Sequence, residues 1–363
     1  MLPKFIFEKI DDWIVEKDHR LRNHFGFSGV GDDDEYKQWM NFHWCLPSTF
    51  DGRMLRLFDF GNRIEDQVVE NIRESKVISI ASHSDNGKQI EASLFGGHFA
   101  GSCDGLVRGL EPDTDETYLL EIKSANDKRW KELDRSEDYE GWSETYRWQI
   151  HAYMGGLGLK KCLVVVVNKN DSRIYSQIID FNPRVWELAK ERAERVIFND
   201  EPEGNGVSEK DWRIKNEPKI YQDIYFKRRL PASANCRNCT SSKPLQAHGA
   251  TWICKRNGNP LTIEEQAKGC SLHLWKPCLV NANQIPEESS ENSITYQAGI
   301  VKFSNVIASE KGKYKYTSPE LRELSKTQFD AEFMAKGEII RADMELDASI
   351  TSVDIMDENN IPI

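Results

Sequence analysis

A mixed-sheet α/β fold is predicted by three features of the chain. "YLLEIKS" is an apolar strand that ends in Glu121-Ile122-Lys123. "KKCLVVVVN" (160–168) is a continuous apolar run, the signature of a strand buried on both faces. Between and around these strands lie segments with apolar residues at helical spacing. Strands that alternate with helices call for an α/β arrangement.

In chain order, residues 1–25 read as one amphipathic helix, followed by the Gly/Asp loop "GFSGVGDDDEYKQW" and an aromatic helix or turn to Trp44. "RMLRLFDFGNRIEDQVVENIRES" (53–75) repeats apolar residues every three to four positions and is a helix. Residues 76–110 read as strands, and "GGHFAGSCDGLVRGL" pairs with "YLLEIKS" as an antiparallel hairpin. "SETYRWQIHAYMGGLG" (143–158) opens on a Ser cap and ends in Gly-Gly, as a helix does. "RIYSQIIDF" (173–181) alternates like a strand. "NPRVWELAKERAERVIF" places Asn at the cap and Pro at the first helical position.

The 363 residues suffice for one large domain and a smaller one. Hydrophobic content of 39% and charged content of 29% are those of a soluble globular chain. No apolar run has the length of a membrane span, and the acidic, amphipathic start has no signal-peptide core. A cytoplasmic location, with no membrane partner, is the expectation. The net charge of -11 argues against a protein that coats nucleic acid, although a local basic groove is compatible with it. Composition shifts near 203, and "NANQIPEESSENS" from 281 reads as a linker before an acidic tail.

Glu121 and Lys123 stand two apart on a strand, so their side chains share one face. The Glu-x-Lys triplets at Glu35 and Glu217 differ, the first in an acidic loop and the second containing a proline that a central strand would not hold. Asp104, on the preceding strand, can face Glu121 across the ladder. Glu65 lies on the helix before the sheet. Gln149 and Tyr153 are four apart on the helix after it and share a face. Two carboxylates suit a hard cation such as Mg²⁺ or Mn²⁺, with the Ile122 backbone carbonyl as a further ligand. A lysine beside such an ion can orient or deprotonate water and neutralise a phosphate.

These residues resemble the PD-(D/E)XK nuclease superfamily, and within it the RecB-like and lambda-exonuclease-like branch. "FGNRIEDQV", "GSCDG", "LLEIKS" and "YRWQIHAYM" carry the resemblance, the last matching that branch's Gln-x-x-x-Tyr helix. "FDGRMLRLFDFGNRIE", "GGHFAGSCDG" and "AYMGGLGLKKCLVVVVNKN" look like a bacteriophage-encoded subgroup. The resemblance runs over about 24–280. It implies a restriction-endonuclease-like core over 1–205, with a mixed central sheet flanked by helices. Asp104 and Glu121 would bind Mg²⁺, and Lys123 would be the catalytic lysine. Glu65 would stand near the metal, while Gln149 and Tyr153 would line the site and position DNA. The implied activity is DNA hydrolysis, as an exonuclease on linear DNA in phage recombination or replication, in the cytoplasm of the host. An endonuclease, or a non-catalytic DNA-binding module on the same scaffold, is the competing reading. Candidate backbone contacts are Lys128, Arg129, Lys131 and Arg147, with Lys169 and "KRR" (227–229) behind them.

Five of the eight cysteines lie between Cys236 and Cys278, which in a cytosolic chain points to metal rather than disulfides. Cys236 and Cys239 form a Cys-x2-Cys pair, and Cys254 and Cys270 complete four zinc ligands, with His273 as an alternate ligand competing for the last two places. Residues 206–280 are thus expected to be a small zinc-binding segment, and 281–363 an acidic C-terminal tail. An iron–sulfur cluster is the rival. It is disfavoured because "GDDDEYKQW" holds no cysteine where such relatives have one, and "DWRIKNEPKIYQDIY" lacks the further cysteine group they carry after the core. The tail is expected to dock a partner such as a single-strand annealing protein, or else to be disordered.

Overall fold

The computed structural model describes residues 2–17, 24–46, 50–112, 115–204, 206–208, 210–215, 217, 221–222, 225, 235–241, 251–280, 282–298 and 301–324. The chain divides into two compact units. One takes its described residues from 1–38 and 49–197, and the other from 39–48, 198–242 and 251–363.

In the first unit, helix α1 (Leu2–Lys17) is followed by the short strand β1 (Phe25–Gly26) and helix α2 (Glu35–Phe42), whose first turn belongs to this unit. The predicted helix over 1–25 is therefore too long, because Phe25 pairs with Phe99 as a strand. The Gly/Asp loop is gathered by two arginines from a later helix. Arg192 donates to the carbonyls of Val30 and Asp32, and Arg195 donates to both carboxylate oxygens of Glu35. Helix α3 (Gly52–Ser75) starts where the Asp51 side chain accepts from the Met54 amide at 2.7 Å. It ends at Lys76, which is left-handed at φ 55°.

Strands β2 (Ser79–Ala81), β3 (Glu91–Leu94), β4 (Phe99–Ser102), β5 (Gly105–Arg108) and β6 (Tyr118–Ala125) follow. Two helices that the sequence pattern did not mark, α4 (Asp127–Ser136) and α5 (Tyr139–Trp142), precede α6 (Glu144–Leu157). Strands β7 (Lys161–Asn168) and β8 (Ile174–Asp180) and helix α7 (Pro183–Phe198) close the series. The central sheet has the order β2-β5-β6-β7-β8 and is mixed, with β6 and β7 parallel and the other pairs antiparallel. β6 and β7 are its buried centre, as their apolar runs require. The expected hairpin partner of β6 is β5 alone. β4 belongs to a second sheet of order β1-β4-β3, and the chain changes sheets at Cys103-Asp104. The Asp104-Gly105 pair is thus a bend between sheets, not a hairpin turn.

Helix α3 packs Val68, Val69 and Ile72 on a cluster formed by Val107, Tyr118, Leu120 and Ile122. Glu65 lies three, four and seven residues before those contacts, hence on the same helix stripe. Leu120 and Ile122 face α3, so Glu121 and Lys123 face the opposite side of β6.

The second unit holds a short helix α8 (Trp212–Lys215), a sheet of β9 (Cys239–Ser241), β10 (Trp252–Cys254) and β11 (Pro260–Leu261), and helix α9 (Ile263–Ala267). Part of the segment expected as a linker and acidic tail is instead a four-stranded sheet: β12 (Asn283–Ser290), β13 (Ser293–Ala298), β14 (Val301–Val306) and β15 (Lys315–Tyr316), with helix α10 (Ser318–Leu324) after it. Its core contains Leu274, Trp275, Ile294, Tyr296, Phe303 and Leu321. β12 reads as a linker because it is polar and contains Pro286, which sits within a register shift between Ile285 and Ser290. The end of the tail beyond residue 324 and the "KRR" triplet lie outside the described residues. No described helix is long and apolar enough to cross a membrane.

Candidate active site

The register of the β5–β6 pair places Gly105 opposite Leu120, which puts Asp104 at the mouth of the pair beside Glu121. The Ile122 amide donates to Asp104 Oδ2 at 2.6 Å. A side chain thereby supplies the last rung of the ladder. Glu121 is buried and forms an ion pair with Lys123, two residues on and on the same face. Ile122 turns its side chain into the core beneath α3, while its carbonyl lies on the strand between the two charged residues.

The electrostatics are those of acids held together away from water. Burial pushes the Glu121 carboxyl up to about 7, Lys123 opposes the rise, and repulsion from Asp104 and Glu65 adds to it. Asp104 is also raised by burial, with Lys123 and the Ile122 amide working against that shift. Glu65, half-buried at the end of the helix stripe, is pushed up to about 7 by burial and then by the Asp104 charge. For Lys123, burial disfavours the ammonium, but Glu121 and Asp104 outweigh it and hold the pKa well above the usual lysine value. Lys123 is therefore a fixed cation among three carboxyl groups. Among the described residues, no group of three or more His, Cys, Asp or Glu side chains is closed around a common metal position.

Helix α6 supplies the opposite wall. Its Ser143 cap accepts from the Tyr146 amide, and Gly158 ends it at φ 70°. Gln149 and Tyr153 are both buried on it. The Tyr153 hydroxyl donates to the Ser102 carbonyl at 2.7 Å, two residues before Asp104. Tyr153 thus ties down the strand that delivers Asp104. Gly101 permits the approach, since a Cβ there would lie 2.8 Å from the Tyr153 hydroxyl. Tyr153→Phe removes this tie and is expected to lower stability by about 1 kcal/mol. An unchanged melting temperature would show that the bond contributes nothing net.

Two residues at the site are absent from the sequence-based set. Tyr146 lies three residues before Gln149 and seven before Tyr153, so the same spacing that marked those two also marks it. Tyr139, on the short helix α5, had no such signal. Its phenol is held well above its ordinary pKa by burial and by the nearby Glu121 charge. His151 is structural: its Nε2 meets Glu140 at 2.9 Å and its Nδ1 accepts from the Asn182 amide. Burial holds its pKa below the usual value.

The candidate DNA contacts are mostly engaged within the protein. Lys131 pairs with Asp127 at 2.8 Å, Arg129 with Glu132 at 3.0 Å, and Arg147 with Glu140 at 3.2 Å and Glu144 at 3.4 Å. The Arg129 guanidinium also lies 4.8 Å from the Trp142 ring centroid. Lys128 is exposed at the start of α4.

In the second unit, Cys236 and Cys239 are buried, Cys254 is half-buried and Cys270 is exposed. Cys254 is the cross-strand partner of Cys239. The Cys236 thiol is drawn down to about 6, chiefly by a hydrogen bond from Cys239, and it also accepts from the Leu274 amide at 3.5 Å. His273 is buried, with its Nε2 on Asn235 Oδ1 at 2.9 Å.

No protein-family model matches the chain, and neither does any curated protein. Solved structures do resemble it. An alkaline exonuclease (LHK-Exo) from Laribacter hongkongensis is 18% identical, covers 51% of this chain and 89% of its own, and has a TM-score of 0.35. The same protein in complex with dAMP is 17% identical at a TM-score of 0.36, with coverage of 51% and 89%. A phage-related exonuclease from Haemophilus somnus 129PT is 11% identical, with coverage of 53% and 78% and a TM-score of 0.25.

Proposed function

We propose that the chain is a metal-dependent deoxyribonuclease, and that it acts as an exonuclease on linear DNA in phage recombination or replication. One observation carries the reading: Asp104, Glu121 and Lys123 meet at the mouth of the β5–β6 pair, Glu121 buried and the other two half-buried, with Glu65 beside them. Buried acids that repel one another suit a hard divalent cation, and their all-oxygen chemistry fits Mg²⁺ or Mn²⁺. Asp104 and Glu121 would hold that ion, with the Ile122 carbonyl as a further donor. The bound ion would supply an activated water and offset charge on the phosphate. Lys123, held as a cation, orients water through its N–H donors and stabilises charge on a phosphate oxygen. Tyr153 and the Ile122 amide keep Asp104 in place throughout.

The test is incubation of the purified chain with linear and covalently closed circular duplex DNA, with Mg²⁺ or with EDTA. Mg²⁺-dependent loss of linear DNA alone supports the exonuclease. Cleavage of the closed circle moves the assignment to an endonuclease. Cleavage of neither sinks the nuclease reading and leaves a DNA-binding module on a nuclease scaffold.

The second unit is read as binding one structural zinc through Cys236, Cys239 and Cys254. The fourth ligand is His273 or Cys270. The buried His273, oriented by Asn235, is the better fit, because a metal-bound imidazole usually donates its other nitrogen to a fixed partner. The protein as isolated is expected to contain about one zinc per chain by elemental analysis. His273→Ala should lower that content more than Cys270→Ser. Iron in place of zinc, with visible absorption, would overturn the assignment in favour of a cluster.

A further inference from the structure

We propose that Tyr146 and Tyr139 are positioning residues for Lys123, forming an aromatic wall that holds its ammonium in place when Glu121 turns its charge elsewhere. The inference rests on the nuclease reading. The Lys123 Nζ lies 5.5 Å from the Tyr146 ring centroid, within the range of a cation–π contact. Tyr139 stacks on Tyr146 with centroids 6.2 Å apart and planes 19° apart. Trp142 packs against both rings, at 6.0 Å and 5.7 Å. Tyr146 is therefore backed by a rigid aromatic cluster rather than free to swing.

Tyr139 is itself fixed. It opens helix α5, which Asp138 caps through the Gly141 amide at 2.9 Å. Its own amide donates to Gln177 Oε1, which also accepts from the Tyr175 hydroxyl. Its phenol is buried, and the hydroxyl has no hydrogen-bond partner among the described residues. A buried, unpaired hydroxyl is uncommon unless it has a use or a water.

The need for such a wall follows from the geometry. Lys123 is a long, flexible side chain with one short ionic contact, to Glu121. Glu121 is also the residue assigned to the divalent cation. One carboxylate cannot give its full charge to both. The ring quadrupole of Tyr146 is a second attraction that does not depend on Glu121, and it points Lys123 the same way before and after the carboxylate is shared.

The experiment compares wild type with Tyr146→Leu, Tyr146→Phe and Tyr139→Phe in Mg²⁺-dependent cleavage. It also records the Lys123 Cε–Hε signal in 13C-lysine-labelled protein, where a ring face shifts the protons upfield. Tyr146→Leu is expected to lower kcat by roughly tenfold with KM within about twofold, and to return the Lys123 signal toward the free-lysine position. Tyr146→Phe keeps the ring and is expected to retain both kcat and the shifted signal. Tyr139→Phe keeps the stack and is expected to keep kcat within about twofold of wild type and the Lys123 signal in its shifted position. A Tyr146→Leu variant with unchanged kcat and an unmoved Lys123 signal overturns the proposal. So does a Tyr146→Phe variant that falls as far as Tyr146→Leu. If wild type cleaves no DNA, the nuclease reading fails by itself. The Lys123 signal then decides separately whether the wall holds the ammonium.

Discussion

Lys123→Ala is expected to lower Mg²⁺-dependent cleavage by about three orders of magnitude or more, the usual scale for deleting a group that acts on the transition state. The fold should survive, with a pH-dependent penalty. The variant leaves Glu121 buried without its cation, and breaking a buried pair costs about 3 kcal/mol when the remaining partner stays charged. Glu121 already has its folded pKa raised to about 7 from 4.5. The folded state therefore holds a proton that the unfolded state has lost between those values. The stability linked to that proton is complete below about 4.5 and is lost as pH rises through the folded pKa. Losing Lys123 removes an influence that lowers this pKa, so the loss still begins near 4.5 but continues to a higher pH and is larger by about pH 8. The melting temperature of Lys123→Ala should accordingly lie near wild type at pH 5 and well below it at pH 8. Cleavage within tenfold of wild type would remove Lys123 from the chemistry.

Position 104 separates chemistry from architecture. Asp104→Asn and Asp104→Ala are both expected to abolish cleavage, again by about three orders of magnitude, because each removes a carboxylate proposed to hold the metal. Their stabilities should diverge. Asparagine keeps an oxygen that can accept from the Ile122 amide and sheds a charge whose burial raises its pKa. Alanine leaves that amide without its acceptor, at a cost of about 1–3 kcal/mol. In metal-free protein at pH 8, Asp104→Asn should melt at or above wild type and Asp104→Ala several degrees below it. Equal melting temperatures for the two variants would show that the 2.6 Å bond does not hold the strand end.

The acid-bearing pair and its helices are readable from the sequence because burial imposes simple periods. β7 is apolar throughout because both its faces are covered, and α3 repeats at helical spacing because one stripe meets the sheet. Glu65 was legible for the same reason, since it continues the stripe of Val68, Val69 and Ile72. Elements with polar surfaces were harder to read. α4 buries little beyond Trp130 and Leu133, and α5 is a single turn, so neither produced a pattern. β12 is a polar edge strand interrupted by proline. The change of sheet at Cys103-Asp104 is set by tertiary pairing and has no local mark. The basic residues were visible as charges, but their ion pairs with Asp127, Glu132, Glu140 and Glu144 appear only in three dimensions.

The two kinds of strand pairing around β6 carry a consequence for the order of folding. β5 and β6 are antiparallel and close in sequence, so they can form with little loop entropy. β7 joins β6 in parallel only after α4, α5 and α6 have crossed over, a longer-range and slower closure. Asp104, Glu121 and Lys123 all sit on or beside the early pair. Tyr139, Tyr146, Gln149 and Tyr153 all sit in the crossover. The acids are thus brought together before the wall that confines them. Pulse-labelled amide exchange should detect this as protection of Val107 and Leu120, whose amides face across the β5–β6 pair, ahead of Ile150. Simultaneous protection would mean that the whole sheet condenses in one event.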